Sequence, residues 1–370
     1  MKLVIDLVAG ARPNFMKLAP VVRSLRRQGR LEARIVHTGQ HYSRSMSAVF
    51  FRDLEIPEPE VHLEVGSGTH GRQTARILER YEARLLQRPP RAVVVFGDVN
   101  STVACALAAV KLGIPVAHVE AGLRSFDRTM PEEINRVLTD AISSLLLVSE
   151  ESGVRNLKRE GAAEENVRRV GNVMIDTLSA HLPAARESRR AEALGLAPAK
   201  YGLVTLHRPS NVDEPQTLKR LIDLLDELSE ELPLVFPVHP RTAAAAGEAG
   251  VGHKLRPGRS RLICLEPEPY LDHLSLMADA AVAFTDSGGV QEETTVLRVP
   301  CLTLRDNTER PVTTELGTSR LVGTDPERIR AAFREVLRGT WPGGREIPLW
   351  DGRAGARVAR ELADWLENAQ

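Results

Sequence analysis

Short runs of aliphatic and β-branched residues, four to seven long, recur along this 370-residue chain with amphipathic helical segments between them. Apolar runs of that length are strands buried on both faces, and strand–helix repetition builds a parallel sheet covered by helices on both sides. The expected strands of the first half are 3–8, 33–37, 61–65, 92–96, 116–119, 145–148 and 167–170, with helices over 15–27, 71–86, 102–112 and 132–142. After Gly171 a helical stretch runs to about Glu187. A second series opens at Leu203 and continues at 234–238, 262–265, 281–284 and 301–304. The expectation is an α/β chain of two doubly wound, Rossmann-like domains facing a cleft and joined near 171–175. No short-period repeat points to a solenoid.

Composition narrows the partners. With Lys+Arg 49 and Asp+Glu 49 the formal charge is zero, so no overall field draws the chain to nucleic acid or an anionic membrane. An anionic ligand must be held by local groups. At 42% hydrophobic and 26% charged, the chain is neither disordered nor of low complexity. No apolar stretch reaches the roughly 18 residues of a membrane span. The opening run leads into folded-type sequence without a small-residue cleavage site. Cys105, Cys264 and Cys301 stand singly among apolar residues, without metal-ligand spacing, as buried thiols of a reducing compartment do. A cytoplasmic protein without a metal site is expected.

In such sheets ligands bind at the carboxyl ends of the strands. The first turn reads Gly10-Ala11-Arg12-Pro13-Asn14, with Lys17 one helical turn on. Free amides at a helix start and a guanidinium make an anion site there, unless Arg12 pairs with a surface carboxylate. The fourth strand ends in Gly97-Asp98-Val99-Asn100 and the fifth in His118-Val119-Glu120-Ala121-Gly122, and Pro131-Glu132-Glu133 opens a later helix. Singly, Asp98 reads as a helix cap and Glu132 and Glu133 as dipole stabilisers. Three acid-bearing elements directed at one cleft exceed what capping requires, and close carboxylates raise one another's pKa toward general acid/base work.

The second half ends its first two strands in His207-Arg208-Pro209-Ser210 and His239-Pro240-Arg241. Its most specific segment is Thr285-Asp286-Ser287-Gly288-Gly289-Val290-Gln291-Glu292-Glu293. Ser287, Gly288 and Gly289 open a helix whose bare amides can approach a diphosphate, and Glu293 is placed to accept hydrogen bonds from both ribose hydroxyls. A nucleotide diphosphate is the expected ligand. Gly66-Ser67-Gly68-Thr69-His70-Gly71 matches a dinucleotide fingerprint but follows the third strand and lacks the acid about twenty residues onward. It reads as a flexible glycine-rich loop.

The segments GARPNFMKLAP, TGQH, GDVNSTVACALAA, HVEAGLRSFDR, PEEINR, HRPSNVD, PVHPRT, TDSGGVQEE and RDNTERP, in that order over nearly the whole chain, resemble the non-hydrolysing UDP-N-acetylglucosamine 2-epimerase family. The resemblance implies a fold of GT-B type, shared with one large class of glycosyltransferases. It implies an N-terminal domain over 1–172 carrying the sugar-side acid/base residues and a UDP-binding domain over 173–355, with a C-terminal helix over 356–370 crossing back onto the first. Asp98, Glu120, Glu132 and His207 would form the catalytic group. Arg12, Lys17, His239, Arg241, Ser287, Gly288, Gly289 and Glu293 would bind UDP. A cytoplasmic homodimer serving polysaccharide biosynthesis, with no cofactor, is expected.

Three positions depart from the family pattern: Pro209 and Ser210 stand where many relatives have Arg and Glu, and Ser43 stands where relatives with a second, activating substrate site carry Gln. Substrate activation therefore lacks its expected residue. The implied isomerase interconverts UDP-N-acetylglucosamine and UDP-N-acetylmannosamine by eliminating and re-adding UDP through 2-acetamidoglucal. The alternatives are a hydrolysing relative releasing N-acetylmannosamine and UDP, and a GT-B glycosyltransferase using a UDP-sugar donor.

Overall fold

A computed structural model describes residues 2–40, 51, 54–256, 258 and 260–368, with the backbone but not the side chain of Arg12. The chain divides into two compact units, Met1–Thr177 with Pro348–Gln370, and Leu178–Ile347. The helix Val173–Glu187 begins in the first and ends in the second.

The first unit holds the strands β1 (Leu3–Ala9), β2 (Leu31–His37), β3 (Val61–His62), β4 (Ala92–Phe96), β5 (Val116–Ala121), β6 (Leu145–Val148) and β7 (Val167–Arg169). They pair in parallel in the order β3-β2-β1-β4-β5-β6-β7. The second unit holds β8 (Gly202–Thr205), β9 (Leu234–Pro237), β10 (Leu262–Leu265), β11 (Val282–Thr285), β12 (Cys301–Thr303) and β13 (Ser319–Leu321), parallel in the order β10-β9-β8-β11-β12-β13. Strand order reverses between β1 and β4 and again between β8 and β11, the points at which doubly wound sheets open a crevice. Both units are therefore Rossmann-like.

Alternation along the strands explains the two-sided covering. In the second unit Val204, Phe236 and Phe284 pack with Leu221, Leu225 and Phe333, while their neighbours Leu203, Val235 and Ala283 pack with Leu276 and Met277. Adjacent residues of a strand face opposite sides, so the two clusters are the two faces of one sheet. In the first unit β4 is buried at every position, and the helix Asn100–Lys111 lays Ala104 and Ala108 into the core. After Pro348 the chain lies in the first unit. Trp350 Nε1 donates to the Ser149 carbonyl at 3.1 Å, and the Asp176 carboxylate caps the helix Ala354–Asn368, accepting the amides of Ala354 and Gly355 at 2.9 and 2.7 Å.

Two strands differ from expectation. The stretch 61–65 pairs only at Val61–His62, because Glu64 takes a left-handed φ of 50° and turns the chain. β13 is an additional strand whose Ser319-Arg320-Leu321 offers no apolar run. Cys105, Cys264 and Cys301 are unpaired and buried, and burial raises each thiol, Cys264 to about 11. Among the described residues no helix is long and apolar enough to cross a membrane.

Candidate active site

In the first unit, charged side chains gather where β4 and β5 end. Gly97 has a φ of 62°, and a Cβ there would stand 2.6 Å from Lys17 Nζ, so glycine serves both the turn and the close approach. Asp98 Oδ2 accepts Arg136 Nη2 at 2.5 Å, and the Asp98 carbonyl accepts Asn135 Nδ2 at 2.8 Å. Arg136 Nη1 also reaches Glu133 Oε2 at 2.7 Å. Glu133 accepts the amides of Ser125 and Phe126, both at 2.9 Å, and so shapes the loop after β5. Glu132, half-buried, is the other acid in the first turn of the helix Pro131–Ile142.

Glu120 and Lys17 are both buried, with Lys17 Nζ 2.8 Å from Oε1 and 2.7 Å from Oε2. Lys17, expected on the nucleotide phosphates, thus has its ammonium on a carboxylate. Glu120 holds a φ of 75° where the register of β5 on β6 shifts between Val119 and Ala121. A non-glycine residue there costs about 1–3 kcal/mol, and such strain gathers at functional sites. The buried His118 links the two strand ends, with Nδ1 2.6 Å from Asp140 Oδ1 and Nε2 2.8 Å from the Gly97 carbonyl. Asp140 Oδ2 accepts the Gly122 amide at 3.0 Å and pairs with Arg124 at 2.7 Å. Burial pushes the Asp140 pKa up, but His118 and Arg124 outweigh it and hold the carboxyl below the usual range.

In the second unit the helix Gly288–Leu297 follows β11 with Ser287 at its N-cap, and its first amides have no acceptor within the helix. A Cβ on Gly288 would stand 2.6 Å from Arg310 Nη1 and 2.8 Å from Glu309 Oε1. Arg310 donates to Glu292 Oε1 and Glu309 Oε1, each at 2.5 Å, and Glu309 also pairs with Arg305 at 2.8 Å and Arg208 at 3.3 Å. Arg208, Arg305 and Arg310 thus interleave with Glu292 and Glu309 beside a helix N-terminus, whose positive dipole end favours an anion. Burial, then the nearness of Arg208 and Arg310 against the pull of Glu309, lowers the Arg305 pKa. Glu293 is buried and accepts Tyr270 Oη at 2.9 Å.

The structure brings His207 onto the fully buried Asp286, Nδ1 lying 3.1 Å from Oδ1. The rings of His207 and His239 have centroids 5.7 Å apart. His239 caps the helix Pro240–Glu248, its Nδ1 accepting the Arg241 amide at 3.2 Å. The exposed Arg241 guanidinium is bidentate on Asp213, at 3.0 and 2.5 Å. The side chain of Arg12, and residues His41 and Ser43, lie outside the described residues.

Sequence patterning did not single out Asp286, Asp140, Arg136, Tyr270, Glu309 or Arg310. For four of them the signal was at hand, since Arg136 closes PEEINR, Asp286 opens the glycine turn, and Glu309 and Arg310 lie in RDNTERP. Chemically the first unit offers carboxylates held against cations, suited to moving protons, and the second a cationic cradle suited to phosphates. Among the described residues no group of three or more His, Cys, Asp and Glu is arranged to hold a metal ion.

The family model described as UDP-N-acetylglucosamine 2-epimerase matches residues 23–363. A protein of Methanocaldococcus jannaschii named UDP-N-acetylglucosamine 2-epimerase is 43% identical over 365 residues, covering 97% of this chain and 98% of its own. The crystal structure of a UDP-GlcNAc 2-epimerase of that organism, in complex with UDP-GlcNAc and UDP, superposes with a TM-score of 0.90 at 44% identity, over 98% of this chain and all of that one. A Pseudomonas aeruginosa protein named UDP-2,3-diacetamido-2,3-dideoxy-D-glucuronate 2-epimerase is 39% identical over 96% of this chain and 98% of its own. With the family model matching most of both units and relatives of 39–43% identity covering nearly the whole chain, the chain belongs to the UDP-N-acetylglucosamine 2-epimerase family.

Proposed function

We propose that the protein is a non-hydrolysing 2-epimerase that interconverts UDP-N-acetylglucosamine and UDP-N-acetylmannosamine. Carbon 2 of the sugar has no adjacent carbonyl, so removing its proton alone leaves an unstabilised carbanion. If UDP departs from carbon 1 as that proton is taken, the C–H electrons become the C1–C2 double bond of 2-acetamidoglucal, and the C1–O electrons leave with UDP. Re-addition of UDP, with a proton delivered to the opposite face of carbon 2, gives the epimer. No hydride acceptor enters this balance.

The observation that carries the reading is the pairing of acid/base carboxylates with a diphosphate cradle in one chain. Asp98, Glu120 and Glu132 are assigned the proton transfers at carbon 2. Lys17 and Arg136 hold Glu120 and Asp98 in place by ion pairs. The bare amides after Ser287 and the guanidinium groups around Arg310 suit a leaving diphosphate, and the Glu293 carboxylate suits the ribose hydroxyls. His207 is assigned to the anomeric oxygen and leaving phosphate, with His239, Arg241 and Arg12 on the nucleotide. The Pseudomonas relative supports a second substrate, a diacetamido uronic acid nucleotide, for the same reaction.

Incubation with UDP-N-acetylglucosamine in deuterium oxide, followed by NMR, tests the reading. A UDP-manno sugar carrying deuterium at carbon 2 is expected. Free N-acetylmannosamine would indicate hydrolysis, and an unchanged donor that reacts only with an acceptor would indicate a transferase.

A further inference from the structure

We propose that Asp286 is a positioning residue for His207, keeping hydrogen on Nδ1 and leaving Nε2 as the atom that exchanges a proton with the substrate. The inference rests on the epimerase reading and deepens it. Asp286 follows β11, is fully buried, and turns its carboxylate wholly onto the segment that follows β8. It accepts the His207 amide at 3.2 and 2.9 Å, the Arg208 amide at 2.8 Å and Asn211 Nδ2 at 3.3 Å. A carboxylate needed only to hold that turn would be satisfied by these groups. His207 Nδ1 is brought to 3.1 Å from Oδ1 in addition, so the ring itself is tied.

The contrast in exposure gives the tie a direction. The Asp286 side chain has no exposed surface, while that of His207 is 41% exposed, so one edge of the imidazole is anchored in the protein and the other is open. An acceptor at one ring nitrogen fixes the tautomer, and the remaining nitrogen then acts as base when neutral or as donor when protonated. The other charged or titratable groups nearby are differently engaged. His239 uses its Nδ1 to accept the Arg241 amide, and Arg208 pairs with Glu309. The burial of Asp286 raises its pKa, but His207 and the backbone amides outweigh this and keep the group below the usual carboxylate range, the acceptor form the arrangement needs.

The test combines a double-mutant cycle on the full chain with 15N NMR of labelled histidine. In an assay with UDP-N-acetylglucosamine, Asp286→Asn is expected to lower kcat by about 100-fold or more while KM and the UDP dissociation constant change by less than about threefold. Added to His207→Gln, the same substitution should change kcat by less than about threefold, because its effect runs through the imidazole. The His207 signal, identified by its loss in His207→Gln, should show hydrogen on Nδ1 in the parent and a redistributed tautomer in Asp286→Asn. An equal loss of kcat in both backgrounds, or a parallel loss of UDP affinity, would make Asp286 a structural clamp and overturn the proposal. If Asp286→Asn does not fold, or the parent leaves this substrate unchanged, the parent's tautomer decides: hydrogen on Nε2 with Nδ1 bare contradicts the assignment. A parent without turnover would count separately, against the epimerase reading.

Discussion

Asp98 and Glu120 meet their cations differently. Glu120 is locked with Lys17 out of solvent, whereas Asp98 keeps 18% of its side chain exposed beside Arg136. Its exposed edge lets the oriented Asp98 carboxylate meet a sugar directly. Asp98→Asn keeps the shape and removes the charge. It is expected to lower kcat by about 10²–10⁴ while calorimetric binding of UDP persists, and unchanged turnover would remove Asp98 from the acid/base set. Gly288 is constrained from the other direction, by space. Gly288→Ala would drive a methyl group into Arg310 and Glu309, whose side chains are buried and mutually paired. Overpacking of this kind costs about 1–3 kcal/mol. A lower melting temperature together with weaker UDP binding is the expected result. A variant that melts and binds as the parent does would show that the cradle has slack.

At the scale of strands and helices, much was legible because the physics is local. β4 and β10 carry their apolar runs at 92–96 and 262–265 in plain view, and the helix Asn100–Lys111 shows its alanine face. Of the short edge strands, β3 was expected within 61–65 but pairs over fewer residues, and β13 was missed, since pairing by so few residues needs no apolar run. Partners were not legible at all. Lys17 and Glu120 are 103 positions apart, and only the sheet order, with β1 beside β4 and β4 beside β5, brings their elements together. The same holds for Asp286 and His207, which meet because β11 pairs with β8.

The ends of β2 and β3 carry a feature of a different kind. His37 stacks on Phe15 with centroids 5.3 Å apart and lies near Phe51, and its buried Nε2 has no partner among the described residues. Burial, aided by neighbouring His62, pulls its pKa down to about 4. An unfolded histidine titrates near 6.5, so between those values the unfolded chain binds a proton that the folded one does not. The contribution of His37 is therefore intact above about pH 6.5, falls by up to about 1.4 kcal/mol per pH unit below it, and levels off near pH 4. Denaturant unfolding at a series of pH values should show that slope in the parent and a shallower one in His37→Phe. Equal slopes would mean that His37 takes up its proton without cost.

For the whole molecule, a chain of zero formal charge concentrates ionised groups locally, carboxylates paired with cations at the strand ends of one unit and guanidinium groups beside a helix start in the other. Neutral composition is thus compatible with strong binding of a nucleotide diphosphate, because the field that matters is local. The proposed chemistry asks one thing of this arrangement above all, that the bond between carbon 1 and the phosphate oxygen break and re-form within the bound state. UDP-N-acetylglucosamine labelled with 18O in the oxygen bridging carbon 1 and the β-phosphorus reports on that step through 31P NMR. Breakage makes the bridging oxygen equivalent to its neighbours on the freed phosphate, so label is expected to appear in non-bridging positions of the recovered sugar nucleotide as the epimer accumulates. Epimer formed with the label wholly retained in the bridge would contradict elimination and re-addition of UDP.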